Sequence, residues 1–146
     1  MTLDEDAYYM SLALKQAERA LEEEEIPVGA VVVCQGKIVA KAYNQTEMLT
    51  DVTAHAEMLA ITSAAQTIGA KYLKDCTLYV TLEPCLMCAG AIYWSQVGRL
   101  VFGASEDKRG FLSLGKDILH PKTEVTAGIL AEESALLLKE FFSMRR

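Results

Sequence analysis

Four side chains in two short segments of this chain could do chemistry together. His55 and Glu57 stand two residues apart, and Cys85 and Cys88 stand three apart, about thirty residues later. Zinc takes imidazole nitrogen and thiolate sulfur in tetrahedral geometry, and a catalytic zinc site leaves its fourth position to water. Three ligands with no obvious fourth predict an open, working zinc site. Glu57 would then be free to move protons at the water.

Each half of this pattern has a more ordinary interpretation. The Cys85-x-x-Cys88 spacing alone is also typical of a redox pair or of half a structural zinc site. His55 alone would more often be a hydrogen-bonded core histidine. The combination of His-x-Glu upstream with Pro84 directly before the first cysteine favours catalysis over both alternatives.

The spacing also predicts how the ligands are positioned. Cys85 and Cys88 share a face if a helix runs from residue 85 to 95, and Pro84 suits the start of that helix. Both thiols then lie at a helix amino end, where the dipole favours thiolate. His55 should open the preceding helix. On an ideal helix His55 and Glu57 point to nearly opposite sides, so Glu57 must reach the site from an irregular first turn or across the pocket.

The apolar pattern predicts the elements that carry these residues. A strand over 28–33 is apolar throughout and should be buried on both faces, and Gln35-Gly36 should turn it into a hairpin with residues 37–42. Alternation of strands and helices predicts an α/β fold with helices on both faces of a layered sheet. The remaining predicted elements are helices over 4–23, 54–66, 85–95 and 131–142 and strands over 77–81 and 99–103.

Length and composition limit the classes of protein that this chain can belong to. Its 146 residues predict a single domain, 1–146, and 51% hydrophobic residues are typical of a globular protein. We find no apolar run of membrane-spanning length and no basic signal region, so we expect a cytoplasmic protein without a membrane partner. Cys34 and Cys76 are expected to be reduced thiols, and no role is assigned to them or to His120.

The net charge of −6 is concentrated at one end of the chain. Residues 1–25 hold eight acids and two bases, which gives −6, and the rest of the chain holds twelve of each. The acidic balance therefore does not exclude a nucleic-acid partner, because a local basic patch beyond residue 25 is compatible with it. The bases expected to surround the binding pocket are Lys71, Lys74, Lys108, Arg109, Lys122, Arg145 and Arg146. Residues 104–122 form the least regular segment, and a loop of that length is usually functional or mobile.

The segments around the candidate ligands resemble the zinc-dependent nucleobase deaminases and, within them, the bacterial tRNA adenosine deaminases. The resemblance runs from about residue 10 to the carboxyl end. It implies a three-layer, cytidine-deaminase-like α/β fold with a mixed central sheet, a Zn²⁺ cofactor and a homodimer. The implied activity is hydrolytic deamination of adenosine to inosine at the wobble position of a tRNA anticodon loop. The matching segments are Asp51–Glu57, Leu78–Cys85, Met87–Ala91 and Leu100–Ala104.

The resemblance also implies individual roles. Glu57 would be the catalytic proton shuttle, and His55, Cys85 and Cys88 the zinc ligands. Asn44 would hydrogen-bond the base, although by residue type it is also typical of a turn. The implied substrate-binding residues are Asn44, Val28, Glu83 and Pro84. For Glu83 a hydrogen-bonded structural carboxylate is the preferred interpretation over an extra acid.

Two other functions compete with this one. Ala91–Trp94 is also similar to bacterial guanine deaminases, and the segments 105–110 and 119–123 depart from the tRNA enzymes, so a metabolic deaminase of free guanine or cytosine is the alternative. The carboxyl-terminal Phe141–Arg146 favours RNA, since it resembles the final helix of the tRNA enzymes and offers two aromatic rings and two bases. A non-catalytic zinc-bearing partner subunit would be expected to lose Glu57, which is present.

Overall fold

A computed structural model describes residues 3–145 as a five-stranded mixed sheet between two layers of helices. The strands lie in the order β2-β1-β3-β4-β5, with β1 antiparallel to both neighbours and β3, β4 and β5 parallel. The three-layer prediction is confirmed. The elements are α1 (Leu3–Glu22), β1 (Gly29–Cys34), β2 (Lys37–Tyr43), α2 (Ala56–Ile68), β3 (Cys76–Leu82), α3 (Leu86–Ser95), β4 (Arg99–Ala104), β5 (Glu124–Ala127) and α4 (Ala131–Met144).

Strand β1 lies between β2 and β3 and is covered on both faces, as its apolar sequence predicts. Val31 and Val33 pack with Met10 of α1 on one face. Val32 packs on the other face, in the core cluster that includes Ala60 of α2. Helices α1 and α4 therefore cover one face of the sheet, and α2 and α3 cover the other.

The hairpin between β1 and β2 turns where it was predicted to turn. Gln35 and Gly36 have φ values of 51° and 77°, both in the left-handed region that a two-residue type I′ turn requires. The turn pairs Cys34 with Lys37. A shift of one residue in the register between Val32 and Val33 then brings Gly29 opposite Tyr43 at the far end of the hairpin. That far end is where the candidate site lies.

The structure adds elements that the sequence pattern did not predict. Edge strand β5 has four residues, which is too short for an alternating pattern to be recognised, and three of them are exposed. The irregular segment before it contains two short 3₁₀ helices, Phe111–Ser113 and Lys116–Ile118. Such single turns follow from local hydrogen bonds and have no apolar period of their own.

One buried ion pair ties α1 to β4. Asp6 is 1% exposed, and the Arg99 guanidinium donates to its two carboxylate oxygens at 2.7 and 2.6 Å. The Tyr79 hydroxyl donates to the same carboxylate at 2.8 Å. The hydrogen bonds from Arg99 hold the pKa of Asp6 below its usual value. Paired, bidentate geometry is what makes a buried charge tolerable.

We expect Asp6→Asn to lower the free energy of unfolding by up to about 3 kcal/mol at pH 7, because it leaves the Arg99 charge unpaired. The pKa of Asp6 is lower in the folded protein than in the unfolded chain, so the ionised carboxylate stabilises the fold at pH values above the unfolded pKa. This contribution is lost as the pH falls through the folded pKa. The difference between wild type and variant should therefore shrink in acid. Urea unfolding at pH 7 and near pH 3 measures it.

Asp4→Asn is the matched control, because Asp4 lies in the same helical turn and is exposed. It should change stability by no more than about 0.5 kcal/mol. Equal effects of the two substitutions at pH 7 would contradict the assigned importance of the buried pair.

Candidate active site

A cavity of about 410 Å³ opens at the end of the sheet where β1 begins and β2 and β3 end. This volume lies within the range of small-molecule sites and accommodates a nucleobase. The structure brings six of the eight predicted site residues to its lining. These are Val28, Asn44, His55, Glu57, Glu83 and Cys85.

Three potential ligand atoms meet at the cavity. Within residues 3–145, His55, Cys85 and Cys88 form the one group with metal-ligand spacing, and their ligand atoms all lie within 4.8 Å of one another. The Nδ1 atom of His55 is 3.7 Å from the Cys85 sulfur and 3.4 Å from the Cys88 sulfur. A tetrahedral zinc with ordinary bond lengths separates nitrogen from sulfur by about 3.6 Å, so the donor set fits the ion.

Two helix starts create this cluster. Cys85 is the N-cap of α3, and His55 is the N-cap of α2, each with an extended backbone. Neither side chain makes a capping hydrogen bond, and the two side chains meet each other at the cluster. Pro84 precedes the N-cap and is not in the first turn of α3, which corrects the predicted start of that helix by one residue. Both thiols still lie at the helix amino end, as predicted.

Glu57 occupies the second position of α2 and lines the same cavity as His55. The two side chains converge because His55 is an extended N-cap, so the angular spacing of an ideal helix does not apply between them. Glu57 is 4% exposed, and its burial raises the pKa of its carboxyl group. It therefore reaches the cavity from the first turn, one of the two routes that the sequence left open.

The pKa values of the two thiols are shifted in opposite directions. A hydrogen bond from Cys88, and then one with His55, lowers the pKa of the Cys85 thiol to about 3. The same hydrogen bond, together with burial, raises the pKa of Cys88 far above its usual range. A divalent cation would allow both thiols to ionise, as metal-bound thiols do.

Asn44 follows β2 directly and is buried beside the cavity. Its backbone N–H donates to the Val28 carbonyl at 3.0 Å and so closes the end of the hairpin. Among residues 3–145 its side-chain amide has no hydrogen-bond partner. The amide is therefore available to a ligand, in agreement with the base-binding role expected for it.

Glu83 lines the cavity, but both oxygens of its carboxylate already accept hydrogen bonds from backbone N–H groups. One oxygen accepts from the Glu106 N–H and the other from the Leu112 N–H, both at 3.0 Å. A Cβ on Gly110 would lie 2.1 Å from that second oxygen, so the loop needs glycine there. The structural interpretation of Glu83 fits these contacts. Pro84 lies outside the lining, and its carbonyl accepts from Phe111.

Several lining residues were not predicted from the sequence. Ser105 and Glu106 come from the loop after β4, which by sequence is irregular and departs from the tRNA enzymes but offers no role for either residue. The apolar side of the opening is formed by the residues before β1 and by α4. Its members are Ile26, Leu138 and Phe142, and Phe142 is 52% exposed.

Other residues discussed from the sequence lie elsewhere. Cys34 and Cys76 pair across β1 and β3 at the opposite end of β1 and are free thiols. His120 packs against Tyr93, and its Nδ1 accepts from Lys122. No helix among the described residues has the length and apolar character that a membrane crossing requires.

The basic residues that were expected to surround the cavity are only partly there. Arg109 lines it, whereas Lys71 and Lys74 stack on Tyr72 in the connection from α2 to β3. Arg145 donates to the Glu24 carbonyl at 2.7 Å and lies over the Phe141 ring. Arg146 lies outside the described residues.

Comparison with known proteins agrees with this geometry. Residues 3–104 match the cytidine and deoxycytidylate deaminase zinc-binding region. The tRNA-specific adenosine deaminase of Aquifex aeolicus is 44% identical over 95% of each chain. A solved structure from a study of tRNA:A34 deaminases, which edit A to I at the wobble position, superposes with a TM-score of 0.84 at 40% identity, over 90% of this chain and 99% of that one.

A second likeness is more distant. The guanine deaminase of Nitrosomonas europaea superposes with a TM-score of 0.80 at 26% identity, covering 94% of this chain and 84% of its own. The match to the zinc-binding region spans both halves of the ligand cluster, from the segment of His55 to that of Cys88. This chain therefore belongs to the zinc-dependent cytidine and deoxycytidylate deaminase family.

Proposed function

We propose that this protein hydrolyses the amino group of adenosine, giving inosine and ammonia, at the wobble position of a tRNA anticodon loop. The observation that carries the proposal is the cluster of three potential zinc ligands beside buried Glu57 in a cavity of nucleobase size. The near full-length similarity to tRNA-specific adenosine deaminases supports the choice of substrate.

The proposed zinc ligands are His55, Cys85 and Cys88. When bound, zinc supplies a Lewis acid that lowers the pKa of a water molecule. Two thiolates reduce the net charge of such a site, so a base beside it is needed for the water to react efficiently. Glu57 is the carboxylate that lines the cavity without being held by loop backbone N–H groups.

Glu57 has to move protons in both directions during the reaction. Its carboxylate accepts a proton as water adds to C6 of adenine, and passes one to the ring nitrogen N1. It then takes the remaining proton from the C6 hydroxyl group and passes it to the amino group, which leaves as ammonia as the C6 carbonyl forms. A carboxyl pKa that burial raises suits a group that both takes and gives protons.

The other cavity residues would position the base. The free side-chain amide of Asn44 would hydrogen-bond it, and Val28 would pack on its face. Exposed Phe142 at the opening offers a ring on which a neighbouring base can stack. An anticodon-loop base is already partly unstacked, so flipping it into the cavity costs little.

Single-domain organisation over residues 1–146, a cytoplasmic location and a homodimer complete the proposal. Trp94 on α3 is 76% exposed, and Leu86 at the start of α3 is exposed as well. Large apolar side chains at the surface favour a protein partner there. The second candidate function is deamination of free guanine, favoured by the likeness to the Nitrosomonas enzyme.

We expect the purified protein to bind about one zinc ion per chain through one nitrogen and two sulfur ligands. His55→Ala and Cys88→Ala should each abolish stoichiometric zinc, because two remaining ligands cannot form the site. Metal analysis gives the content, and X-ray absorption gives the donor set. Cys34→Ala, at the opposite end of β1, is the control and should retain the ion. Four protein ligands in the spectrum would contradict the open site.

Glu57→Gln should keep the fold and the zinc but reduce deamination by about 10²–10⁴, because the amide cannot carry a proton. The measurement is single-turnover inosine formation by zinc-loaded enzyme. Near-normal turnover by this variant would eliminate Glu57 as the proton shuttle.

Substrate choice should separate the two candidate functions. An anticodon stem-loop with adenosine at the wobble position should release ammonia, whereas the same loop with guanosine and free guanine should not. Binding should weaken as salt rises, since contacts to phosphates release counterions. Rapid turnover of guanine with an untouched stem-loop would assign this protein to the free-base deaminases.

A further inference from the structure

Besides Glu57 and Glu83, a third buried carboxylate lies close to the cavity, and it has no part in the chemistry. Glu25 is 1% exposed, in the connection between α1 and β1. Its Oε1 accepts from the Glu47 N–H at 3.0 Å and from the Thr46 hydroxyl at 3.5 Å. Its Oε2 accepts from the Met48 N–H at 2.8 Å. All three donors belong to the loop between β2 and α2.

That loop, residues 45–54, joins two of the proposed site residues. It starts directly after Asn44 and ends directly before His55. Its base is closed by a hydrogen bond from the Gln45 N–H to the Ala54 carbonyl at 3.0 Å. Movement of the loop would therefore move both the group proposed to bind the base and one proposed zinc ligand.

Apolar packing contributes little to holding the tip of this loop. Met48, Leu49 and Val52 are 53%, 49% and 83% exposed. The Asp51 side chain accepts from the N–H and hydroxyl of Thr53, which shapes the loop but does not attach it to other elements. The hydrogen bonds to Glu25 are thus the polar attachment of the tip to another part of the fold.

Glu25 is itself held firmly. Helix α1 ends with the Glu25 N–H bonded to the Ala20 carbonyl and the Glu24 N–H bonded to the Leu21 carbonyl, a Schellman pattern. Glu24 takes the left-handed position, with φ of 61°, that glycine usually occupies. Arg145 also donates to the Glu24 carbonyl. The backbone that carries the Glu25 carboxylate is therefore fixed at the end of α1.

We propose that Glu25 is a positioning residue, whose carboxylate fixes the 45–54 loop and thereby holds Asn44 and His55 in the geometry of the site. The kinetic part of this inference rests on the proposed deaminase function. The structural part does not, because the loop and the ligand cluster are present whatever the substrate.

Glu25→Gln tests the proposal with almost no change in volume. A glutamine has one acceptor oxygen, and its NH₂ group would face one of the two loop N–H donors, which leaves that donor unpaired. The amides of Glu47 and Met48 should exchange with solvent at least about tenfold faster, while those of β3 should be unchanged. Zinc transfer to a chelator should be faster as well. In the stem-loop assay, KM should rise and kcat should fall.

Glu47→Gln is the matched control, because the Glu47 side chain is exposed and only its backbone contacts Glu25. It should leave all of these rates unchanged. Should Glu25→Gln fail to fold, Glu25→Asp keeps the charge at a shorter reach and should show the same faster exchange confined to the loop.

The outcomes separate the two proposals. Unchanged loop exchange and unchanged zinc transfer in both Glu25 variants would overturn the positioning role. Exchange that accelerates equally throughout the protein would also overturn it, since that is the result of general destabilisation. If the loop alone loosens and wild-type enzyme deaminates no RNA, the positioning role stands and the deaminase function fails.

Discussion

Three ionisable ligand atoms held within 4.8 Å of one another are the constraint on which the site depends. Two thiolates this close to each other repel, and a divalent cation would offset that repulsion. The fold sustains the arrangement by starting α2 and α3 at the same place. Their N-caps, His55 and Cys85, use extended backbone to aim side chains at a common point. Zinc then satisfies charge and geometry together.

Four buried carboxylates show how the surroundings decide what an acid does. Asp6 is paired with Arg99, and Glu25 and Glu83 accept backbone N–H groups from two loops beside the cavity. These three are held by hydrogen bonds and serve the structure. Glu57 differs because it lies against the ligand cluster and faces the cavity. Burial raises the pKa of its carboxyl group and suits it to proton transfer.

Much of this could be predicted from the sequence, and the reasons for the failures are physical. The doubly buried β1, the Gln35-Gly36 turn and the helices all have strong local signals, and each was predicted within a few residues. The candidate metal ligands were recognisable because zinc needs particular atoms at particular spacings. Edge strand β5 is too short and exposed to produce a period. The role of Glu25 depends on a contact between segments more than twenty residues apart, which no local pattern reveals.

The central claim is that this site adds water to adenosine within RNA. The most direct measurement is to incubate zinc-loaded enzyme with an anticodon stem-loop in heavy-oxygen water and to analyse the wobble nucleoside by mass spectrometry. The account predicts inosine whose C6 oxygen comes from the solvent, with one ammonia released per inosine. Recovery of unchanged adenosine from fully zinc-loaded, folded enzyme would contradict it.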